Sequence, residues 1–276
     1  MKPNSNKLIL IATPIGNLSD LSPRALECLK LVDFIAAEDT RVTLKLLNYF
    51  NIKKELISYH EHNKKEKGNL ICSRILNGEN CALVTDAGMP GISDPGEDLV
   101  KLCSEKNIPV TIIPGACSCV CALAISGLNT KRFCFEGFLS TNKKQRTNHL
   151  NSLLKEERTI IFNSSPHKLL TDLKDLYKVF GNRKISIVKE LTKIHEEVIR
   201  TNLKNSIDIF ENNQAKGEFI LVLDGFKNNK DSLTIENAVA LAKEYIKNGK
   251  SINLASKLAS KDTGFKKSDI YKILID

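Results

Sequence analysis

The amino-acid sequence predicts an α/β protein of two domains, followed by a small helical domain. Short β-rich runs end abruptly in glycine, proline, serine or aspartate, and helix-like segments lie between them, an alternation typical of α/β domains. Near residues 118–131 a Pro-Gly loop turns into a helix rich in alanine, cysteine and leucine, where we place the crossing between domains. After residue 230 the pattern is helical only. The predicted boundaries are 1–118, 119–228 and 229–276.

The predicted strands are apolar runs that end in turn-forming residues. They cover residues 7–12, 33–37, 81–84, 110–113, 159–162, 184–188 and 219–223. In open α/β sheets ligands bind beyond the carboxyl ends of the strands. The loops that follow these runs therefore predict the position of the functional site.

The predicted helices carry recognisable start and stop signals. Ser22 is a predicted N-cap with Pro23 just inside the helix, and residues 96–105 have apolar residues at helical spacing. In the last domain Ser251 and Ser268 are predicted N-caps and Gly264 a helix stop, which resembles a helix-turn-helix. Its lysines fit phosphate binding, and a helical cap that packs on its own enzyme is the alternative.

Composition and cysteine usage indicate the compartment. The 276 residues are 42% hydrophobic, and no apolar stretch reaches the roughly 20 residues of a membrane-spanning helix. No signal peptide is evident, and the eight cysteines include no C-x-x-C pair, so we expect a reducing cytoplasm and no membrane association. The cluster of Cys117, Cys119 and Cys121 lacks nearby partners at zinc spacing, which favours a structural role over a metal site.

Net charge indicates a polyanionic partner. The formal charge is +9, although a lysine-rich surface is the plainer explanation. The basic segment 141–146 is a predicted RNA-contacting loop through Lys143, Lys144 and Arg146. The alternative is an ordinary solvated loop.

The loops that follow the predicted strands contain neither of two common phosphate-binding motifs. Neither G-x-G-x-x-G nor G-x-x-x-x-G-K-[ST] occurs, which disfavours NAD binding and simple ATPase chemistry. Residues 86–96 contain glycines and prolines at a density that indicates a backbone shaped for a ligand. Within this loop Asp86 and Asp94 fit ribose hydroxyls, while a turn residue and a helix N-cap are their respective alternatives. The Pro114-Gly115 loop brings a further strand to a helix N-terminus.

Titratable groups follow the second predicted strand. Glu38, Asp39 and Arg41, with the later His60, fall at the same predicted sheet edge, where one of them could act as a general base. The alternatives are an N-cap for Asp39, an i,i+3 ion pair between Glu38 and Arg41, and an exposed loop position for His60.

Several motifs together resemble a known family. They are ATPIGNLSDLSPRA (12–25), AAEDTR (36–41), YHEHN (59–63), VTDAGMPGISDPG (84–96), IPGACS (113–118), the SGL to EGFL stretch (126–139), KELTKIHEE (189–197) and KGEFILVLDG (216–225). In this order the chain resembles the bacterial 16S ribosomal RNA 2′-O-ribose cytidine methyltransferases, which belong to the tetrapyrrole methylase superfamily.

The resemblance implies a fold, a cofactor and a substrate. The fold would be the tetrapyrrole methylase type, a class III S-adenosylmethionine methyltransferase with its cofactor between two α/β domains. It further implies a homodimer, S-adenosylmethionine as donor, no metal, and a decoding-centre cytidine of 16S rRNA in the small ribosomal subunit as acceptor. Glu38, Asp39, Arg41 and His60 would face the RNA. The cofactor would contact Pro14, Asp86, Ala87, Gly88, Met89, Ile92, Cys117, Ser118, Phe162, Leu191 and Gly217.

One segment departs from the family pattern. Asn163-Ser164 stand where the family usually has an aromatic residue and an acid, so a side-chain role there is open. Two other functions also stay open. A methylase of the same superfamily could act on a tetrapyrrole, which the basic loops disfavour, and a non-catalytic RNA-binding assembly factor would have no need of the glycine-rich loops.

Overall fold

A computed structural model describes residues 6–93, 95–212, 215–227 and 234–275. The chain forms two compact units, of which the first ends at Gly225 and the second begins at Phe226. The first unit contains two five-stranded sheets, and the second contains helices. The three domain boundaries given above remain predictions. Across the described ranges, no helix combines the length and apolar character that crossing a membrane requires.

The first sheet is parallel throughout, in the order β3-β2-β4-β1-β5. Its central strands are buried on both faces, which explains why they are continuous apolar runs in the sequence. The loops after all five strands therefore lie at one edge of the sheet. The strands are β1 (Leu8–Ile11), β2 (Phe34–Ala37), β3 (Glu55–Ser58), β4 (Cys81–Val84) and β5 (Val110–Ile113).

Helices cover both faces of this sheet, and their apolar sides form two cores. The predicted N-cap at Ser22 is confirmed, because its Oγ accepts a hydrogen bond from the Ala25 amide at 3.1 Å. The chain then passes through α5 from β5 to the second sheet. These helices are α1 (Pro23–Leu31), α2 (Thr40–Tyr49), α3 (Lys64–Leu76), α4 (Glu97–Glu105) and α5 (Ser118–Ser126), with a 3-10 turn at Leu18–Asp20.

The second sheet is mixed, in the order β6-β7-β10-β8-β9. Only β6 and β7 pair in parallel, because β10 is antiparallel to both β7 and β8, and β8 is antiparallel to β9. The last of these pairs needs no crossover helix, since a loop joins β8 directly to β9. The strands are β6 (Phe133–Phe138), β7 (Thr159–Ser164), β8 (Lys184–Lys189), β9 (Glu197–Asn202) and β10 (Phe219–Leu223).

Different helices pack on the two faces of the second sheet. Helix α5 covers one face, where Ala122 and Leu123 pack against Val188 and Val222. The opposite face packs against α6 (Lys143–Ser152), α7 (Leu169–Phe180) and α8 (Leu203–Glu211).

The described residues of the second unit form three helices: α9 (Ile235–Lys247), α10 (Ile252–Thr263) and α11 (Lys267–Ile275). They share a small core of mostly alanine side chains. Two of the predicted signals are confirmed: Ser251 caps α10, and Gly264 ends it in the left-handed conformation. The predicted N-cap at Ser268 is wrong, because α11 begins one residue earlier and the Ser268 hydroxyl contacts Asp269 instead.

Candidate functional site

A cavity of about 380 Å³ lies between the loops at the carboxyl edge of the first sheet and the α5-facing side of the second. Its volume falls in the range of small-molecule sites, roughly 300–1,000 Å³. Its walls come from six loops, four strands and the first turn of α5. The lining residues are Ile15, Ala87, Gly88, Met89, Ile92, Ser93, Cys117, Ser118, Cys119, Phe135, Phe138, Asn163, Ser164, Ser165, Pro166, Val188, Leu191, Glu218, Phe219 and Ile220.

Backbone hydrogen bonds hold the first-sheet wall in shape. Thr13 and Gly88 exchange two backbone hydrogen bonds, of 2.9 and 3.1 Å, which join the loop after β1 to the loop after β4. Gly88 has a φ of +90°, and a Cβ atom there would come within 3.2 Å of Ile15 Cγ2. This wall therefore presents peptide groups rather than bulky side chains to a ligand.

The loop before α5 lies equally close to the first sheet. A Cβ atom on Gly115 would come within 2.8 Å of the Ala12 Cβ atom, so only glycine allows the backbone to pass here. The close passage brings Cys117 and Ser118 to the cavity at the N-terminal end of α5. Free backbone amides at such an end favour an anionic ligand group.

On the second-sheet side, a loop with a strained backbone forms part of the wall. Glu190 and Thr192 have positive φ values of 50° and 66°. Glu190 Oε1 accepts hydrogen bonds from the Glu218 amide at 2.8 Å and from Lys193 Nζ at 2.9 Å, and both lower the pKa of Glu190. These contacts fix Leu191 and Glu218 at the cavity.

Seven of the eleven predicted cofactor residues line this cavity: Ala87, Gly88, Met89, Ile92, Cys117, Ser118 and Leu191. Phe162 does not, because its fully buried side chain points into the core on the opposite face of β7. Gly217 lies beside the wall, where its Cα packs against Glu190. Pro14 and Asp86 line an adjacent groove instead.

Two aromatic side chains in the wall were missed from the sequence. Phe135 and Phe138 are three residues apart and would face opposite sides of a regular strand. A register shift between Phe135 and Gly137 places one extra residue in β6, so that both rings line the cavity. A glycine inside an aromatic strand was the available signal for such a bulge.

The segment that departs from the family pattern also lines the cavity. Asn163, Ser164 and Ser165 all belong to its wall. The Ser164 hydroxyl, however, donates a hydrogen bond of 2.5 Å to Asp172, away from a ligand. Asp94, for which ribose binding and an N-cap were the alternatives, lies outside the described residues.

The acidic residues after β2 and β4 form one cluster. The Asp39 amide donates to Asp86 Oδ1 at 3.1 Å, and the Asp86 amide to Glu38 Oε2 at 3.4 Å. Asp39 is the N-cap of α2, as the alternative above stated, and it also binds Arg41 through two side-chain nitrogens. The expected Glu38–Arg41 ion pair is therefore wrong, since Arg41 pairs with Asp39.

The carboxyl groups of this cluster differ in acidity. Burial, together with the charges of Asp86 and Asp39, raises the pKa of Glu38 above its usual value. The hydrogen bonds from Arg41 lower the pKa of Asp39 to about 2. Burial raises the pKa of Asp86 as well. Of the two acids after β2, Glu38 is thus the one better suited to accept a proton, whereas Asp39 stays ionised and orients Arg41.

His60 lies near Glu38, after β3. Its amide donates to Asn63 Oδ1 at 2.9 Å, and the Asn63 amide nitrogen is 3.4 Å from its Nε2. Its buried Nδ1 has no hydrogen-bond partner among the described residues. The ring is therefore held by Asn63.

A groove of about 290 Å³ adjoins the acidic cluster. Pro14, Asp86, Val42 and Tyr49 contribute to it, and the Tyr49 side chain is 63% exposed. Since Asp86 lines this groove and Ala87 lines the main cavity, the two spaces meet at consecutive residues.

The predicted basic loop is mostly a helix. Lys143 and Lys144 are exposed in the first turn of α6. The predicted RNA contact of Arg146 is wrong, because its side chain is only 10% exposed and binds Asp172 and Asp175 on α7, at 2.7 and 2.5 Å. The guanidinium is already satisfied inside the protein.

Neither metal clusters nor disulfides are found in the described parts of the chain. No group of three or more histidine, cysteine, aspartate or glutamate residues there could hold a metal ion. All eight cysteines are free thiols.

Residues 7–206 match the family model described as tetrapyrrole (corrin/porphyrin) methylases. A protein of Synechocystis named ribosomal RNA small subunit methyltransferase I is 45% identical over 98% of this chain and 97% of its own length. A Thermotoga maritima protein of the same name is also 45% identical, over 79% of this chain and 98% of its own.

The fold is also found among solved structures. The uroporphyrin-III C-methyltransferase of Thermus thermophilus in complex with S-adenosylhomocysteine superposes with a TM-score of 0.56. The two chains are 16% identical, and the match covers 79% of this chain and 97% of the other. At this identity the likeness concerns the fold alone, which is the predicted one.

Proposed function

Because the chain belongs to the ribosomal RNA small subunit methyltransferase I family of the tetrapyrrole methylases, we propose that it methylates the ribose 2′-hydroxyl of a cytidine in 16S rRNA, with S-adenosylmethionine as donor. The observation that carries this proposal is the junction at Asp86 and Ala87. There a ligand cavity built from backbone lies next to a groove lined by Asp86, which is hydrogen-bonded to Glu38 and Asp39.

The residues of the main cavity fit a nucleoside with an amino-acid tail. Close-packed glycine loops leave peptide groups free to bind the nucleoside, and the rings of Phe135 and Phe138 offer apolar surface to a planar base. The N-terminal end of α5 suits a carboxylate. When bound, S-adenosylmethionine supplies a methyl group activated by its sulfonium.

The contribution of the protein is chiefly alignment. In-line displacement requires the ribose oxygen, methyl carbon and sulfur to be collinear, and such orientation is worth about 7–11 kcal/mol in favourable cases. The two hydrogen bonds between Thr13 and Gly88 and the contacts of Glu190 fix opposite walls of the cavity. Both therefore reduce the freedom of the reacting groups.

We assign proton removal from the 2′-hydroxyl to Glu38. Its raised pKa lets it take up a proton, a role worth about 10²- to 10⁴-fold in rate. Arg41 is 86% exposed and oriented by Asp39, which suits it to an RNA phosphate next to the target ribose. On the family resemblance, His60 would face the same RNA.

Basic surfaces would hold the rest of the RNA. Lys143 and Lys144 are exposed on α6, and the lysines of the second unit are further candidates. We further propose a homodimer that needs no metal, on the family resemblance alone. A cytoplasmic location follows from the proposed substrate.

The test is methyl transfer from labelled S-adenosylmethionine to naked 16S rRNA and to isolated small ribosomal subunits, with mapping of the modified nucleotide. We expect label on the 2′-oxygen of one cytidine, and the comparison identifies the substrate form. Label on a base would contradict the 2′-hydroxyl as acceptor. Transfer to a tetrapyrrole but to neither RNA would contradict the proposed function as a whole.

A further inference from the structure

Two thiols lie together in the cavity wall, and the proposed methyl transfer uses neither of them as a reacting group. The Sγ atoms of Cys117 and Cys119 are 3.5 Å apart, and both residues line the cavity. Cys117 directly precedes α5, and Cys119 lies in its first turn. A small molecule that enters the cavity therefore meets both cysteine residues.

We propose that Cys117 and Cys119 form an oxidation site, in which a hydroperoxide converts the two thiols into a disulfide that weakens cofactor binding. The oxidation follows from the thiol pair itself. Its effect on the cofactor rests on the proposed function.

Cys117 is the nucleophile of the pair. The hydrogen bond from the Cys119 thiol lowers the pKa of Cys117 below the usual range, and the position before a helix favours a thiolate further. The same interaction and burial raise the pKa of Cys119, which keeps its proton until the second step. The two thiols are thus divided into an attacking and a resolving group.

The chemistry balances with hydrogen peroxide as the oxidant. The Cys117 thiolate attacks one peroxide oxygen, the O–O bond breaks, and the departing hydroxide takes up a proton to become water. Cys117 is now a sulfenic acid. The Cys119 sulfur then attacks the Cys117 sulfur, an S–S bond replaces the S–O bond, and the hydroxyl leaves with the Cys119 proton as a second water. The two thiols lose two electrons to the peroxide.

Disulfide formation must change the cavity wall. The sulfur atoms have to approach from 3.5 Å to about 2.0 Å. This movement takes place at the N-terminal end of α5, where we expect the cofactor to bind. A distorted wall loses contacts with a ligand that fits the reduced form.

A second thiol pair provides a matched control inside the same chain. Cys72 and Cys103 have Sγ atoms 3.8 Å apart, similar to the first pair, but both side chains are fully buried in the core. Burial raises the pKa of Cys72. Burial and the neighbouring Cys72 thiol raise the pKa of Cys103 to about 12. This pair has neither a thiolate nor a route for peroxide, so we expect it to stay reduced.

The test treats the reduced full-length protein with hydrogen peroxide, alkylates it in denaturant with iodoacetamide, and maps the cysteines by mass spectrometry. We expect a Cys117–Cys119 disulfide that dithiothreitol reverses, with Cys72 and Cys103 alkylated. Cys119→Ser should stop at a sulfenic acid that dimedone traps, whereas Cys121→Ser should oxidise like the unaltered protein. A reduced Cys117, a Cys117–Cys121 bond, or equal oxidation of both pairs would overturn the oxidation site.

A binding measurement separates the two parts of the proposal. Calorimetry with S-adenosylhomocysteine should show about tenfold weaker binding after oxidation, with recovery in dithiothreitol. Equal affinity of both forms would overturn the effect on the cofactor. If even the reduced protein fails to bind, the proposed function falls, while the mass spectra still decide whether the thiols are an oxidation site.

Discussion

Glu38 and Asp39 are neighbours in the sequence but have opposite electrostatic surroundings. Burial and nearby negative charges raise the pKa of Glu38, whereas Arg41 lowers the pKa of Asp39. The sequence predicted that these acids cluster, because both follow a buried strand. It could not assign their roles, since burial and the Asp39–Arg41 pairing are properties of the folded chain.

Glu38→Gln should lower the single-turnover methylation rate by about 10²- to 10⁴-fold, because the proton acceptor is lost. In the unaltered enzyme the rate should rise with pH through the raised pKa of Glu38, and the variant should lack this rise. The measurement is the pH profile of the rate. Glu61→Gln, at an exposed neighbouring carboxylate, is the control.

The same change should stabilise the fold near neutral pH. A raised pKa means that folding favours protonated Glu38, so its stabilising contribution is present at low pH and is lost as pH rises through the folded-state pKa. Glutamine keeps the neutral form at every pH. A lower melting temperature for Glu38→Gln at pH 8, or a rate like that of the Glu61→Gln control, would contradict the assigned role.

Arg146 shows why a basic residue in a basic segment need not bind RNA. Lys143 and Lys144 extend into solvent, but Arg146, on the same helix, faces α7 and binds two aspartates. Only the position of α7, which is distant in the sequence, reveals this. Composition alone therefore misassigned the residue.

Arg146→Ala should destabilise the protein by about 3–5 kcal/mol, because Asp172 would be left buried without its cationic partner. Denaturant unfolding measures the change. Lys144→Ala, at an exposed position of the same helix, should change the free energy of unfolding by less than about 0.5 kcal/mol. Equal effects of the two variants would contradict the structural role of Arg146.

At the scale of secondary structure, fully buried strands were the easiest elements to predict. β1, β2 and β4 are apolar throughout because helices cover both faces of their sheet. β3 and β9 were missed because both are edge strands that contain charged residues: Glu55 in β3, and Glu197 and Arg200 in β9. The bulge in β6 hid two aromatic wall residues for a similar reason, since a simple alternation rule fails where the register shifts.

The loop between β8 and β9 depends on a glycine in another loop. Gly217→Ala would place a methyl group 2.5 Å from the Glu190 carboxyl, at a φ of +90°. The displaced Glu190 would release Leu191 and Glu218 from the cavity wall. We expect weaker binding of S-adenosylhomocysteine in calorimetry. The free energy of unfolding should also fall by more than the about 1–2 kcal/mol that a positive φ alone costs an alanine.

Gly249→Ala is the matched control for this prediction. Gly249 has a similar φ of +81°, but nothing lies within 4 Å of the added methyl group, and the residue is in the second unit. Gly249→Ala should lower the free energy of unfolding through its positive φ, without any change in the affinity for S-adenosylhomocysteine. Unchanged affinity in Gly217→Ala as well would contradict the role of the Glu190 loop.

For the whole molecule, the division into two compact units assigns the cavity to the first unit. Every residue that lines the cavity precedes Gly225. The described helices of the second unit, residues 234–275, carry eight lysines against four carboxylates. A Thermotoga relative matches 79% of this chain over 98% of its own length, so about a fifth of this chain lies outside that match.

Removal of residues 226–276 should therefore leave the affinity for S-adenosylhomocysteine unchanged and weaken binding to rRNA. The salt dependence of RNA binding should also become shallower, because fewer phosphates are neutralised. Calorimetry and filter binding over a salt series measure the two effects. A truncated protein with full RNA affinity and an unchanged salt slope would contradict a role of the second unit in RNA binding.

The alternation of strands and helices predicted the α/β class but not the mixed pairing of the second sheet. Pairing partners depend on contacts between segments far apart in the chain, such as β10 with β7. For the same reason the sequence identified most loops of the cavity from the first sheet and few residues from the second. Local sequence signals are enough to locate the cavity loops of a parallel sheet, because all of its strands end at one edge. They are not enough for a mixed sheet, whose strands end at both edges.

The position of β1 inside the first sheet, between β4 and β5, has a consequence during synthesis. Its hydrogen-bonding partners are β4 and β5, whose residues are translated some 70 to 105 positions later. At about 5–20 residues per second, the apolar segment Leu8–Ile11 has no sheet partner on its second side for roughly 5 to 20 s. During that interval the nascent chain depends on chaperones or on transient collapse to protect this strand from aggregation.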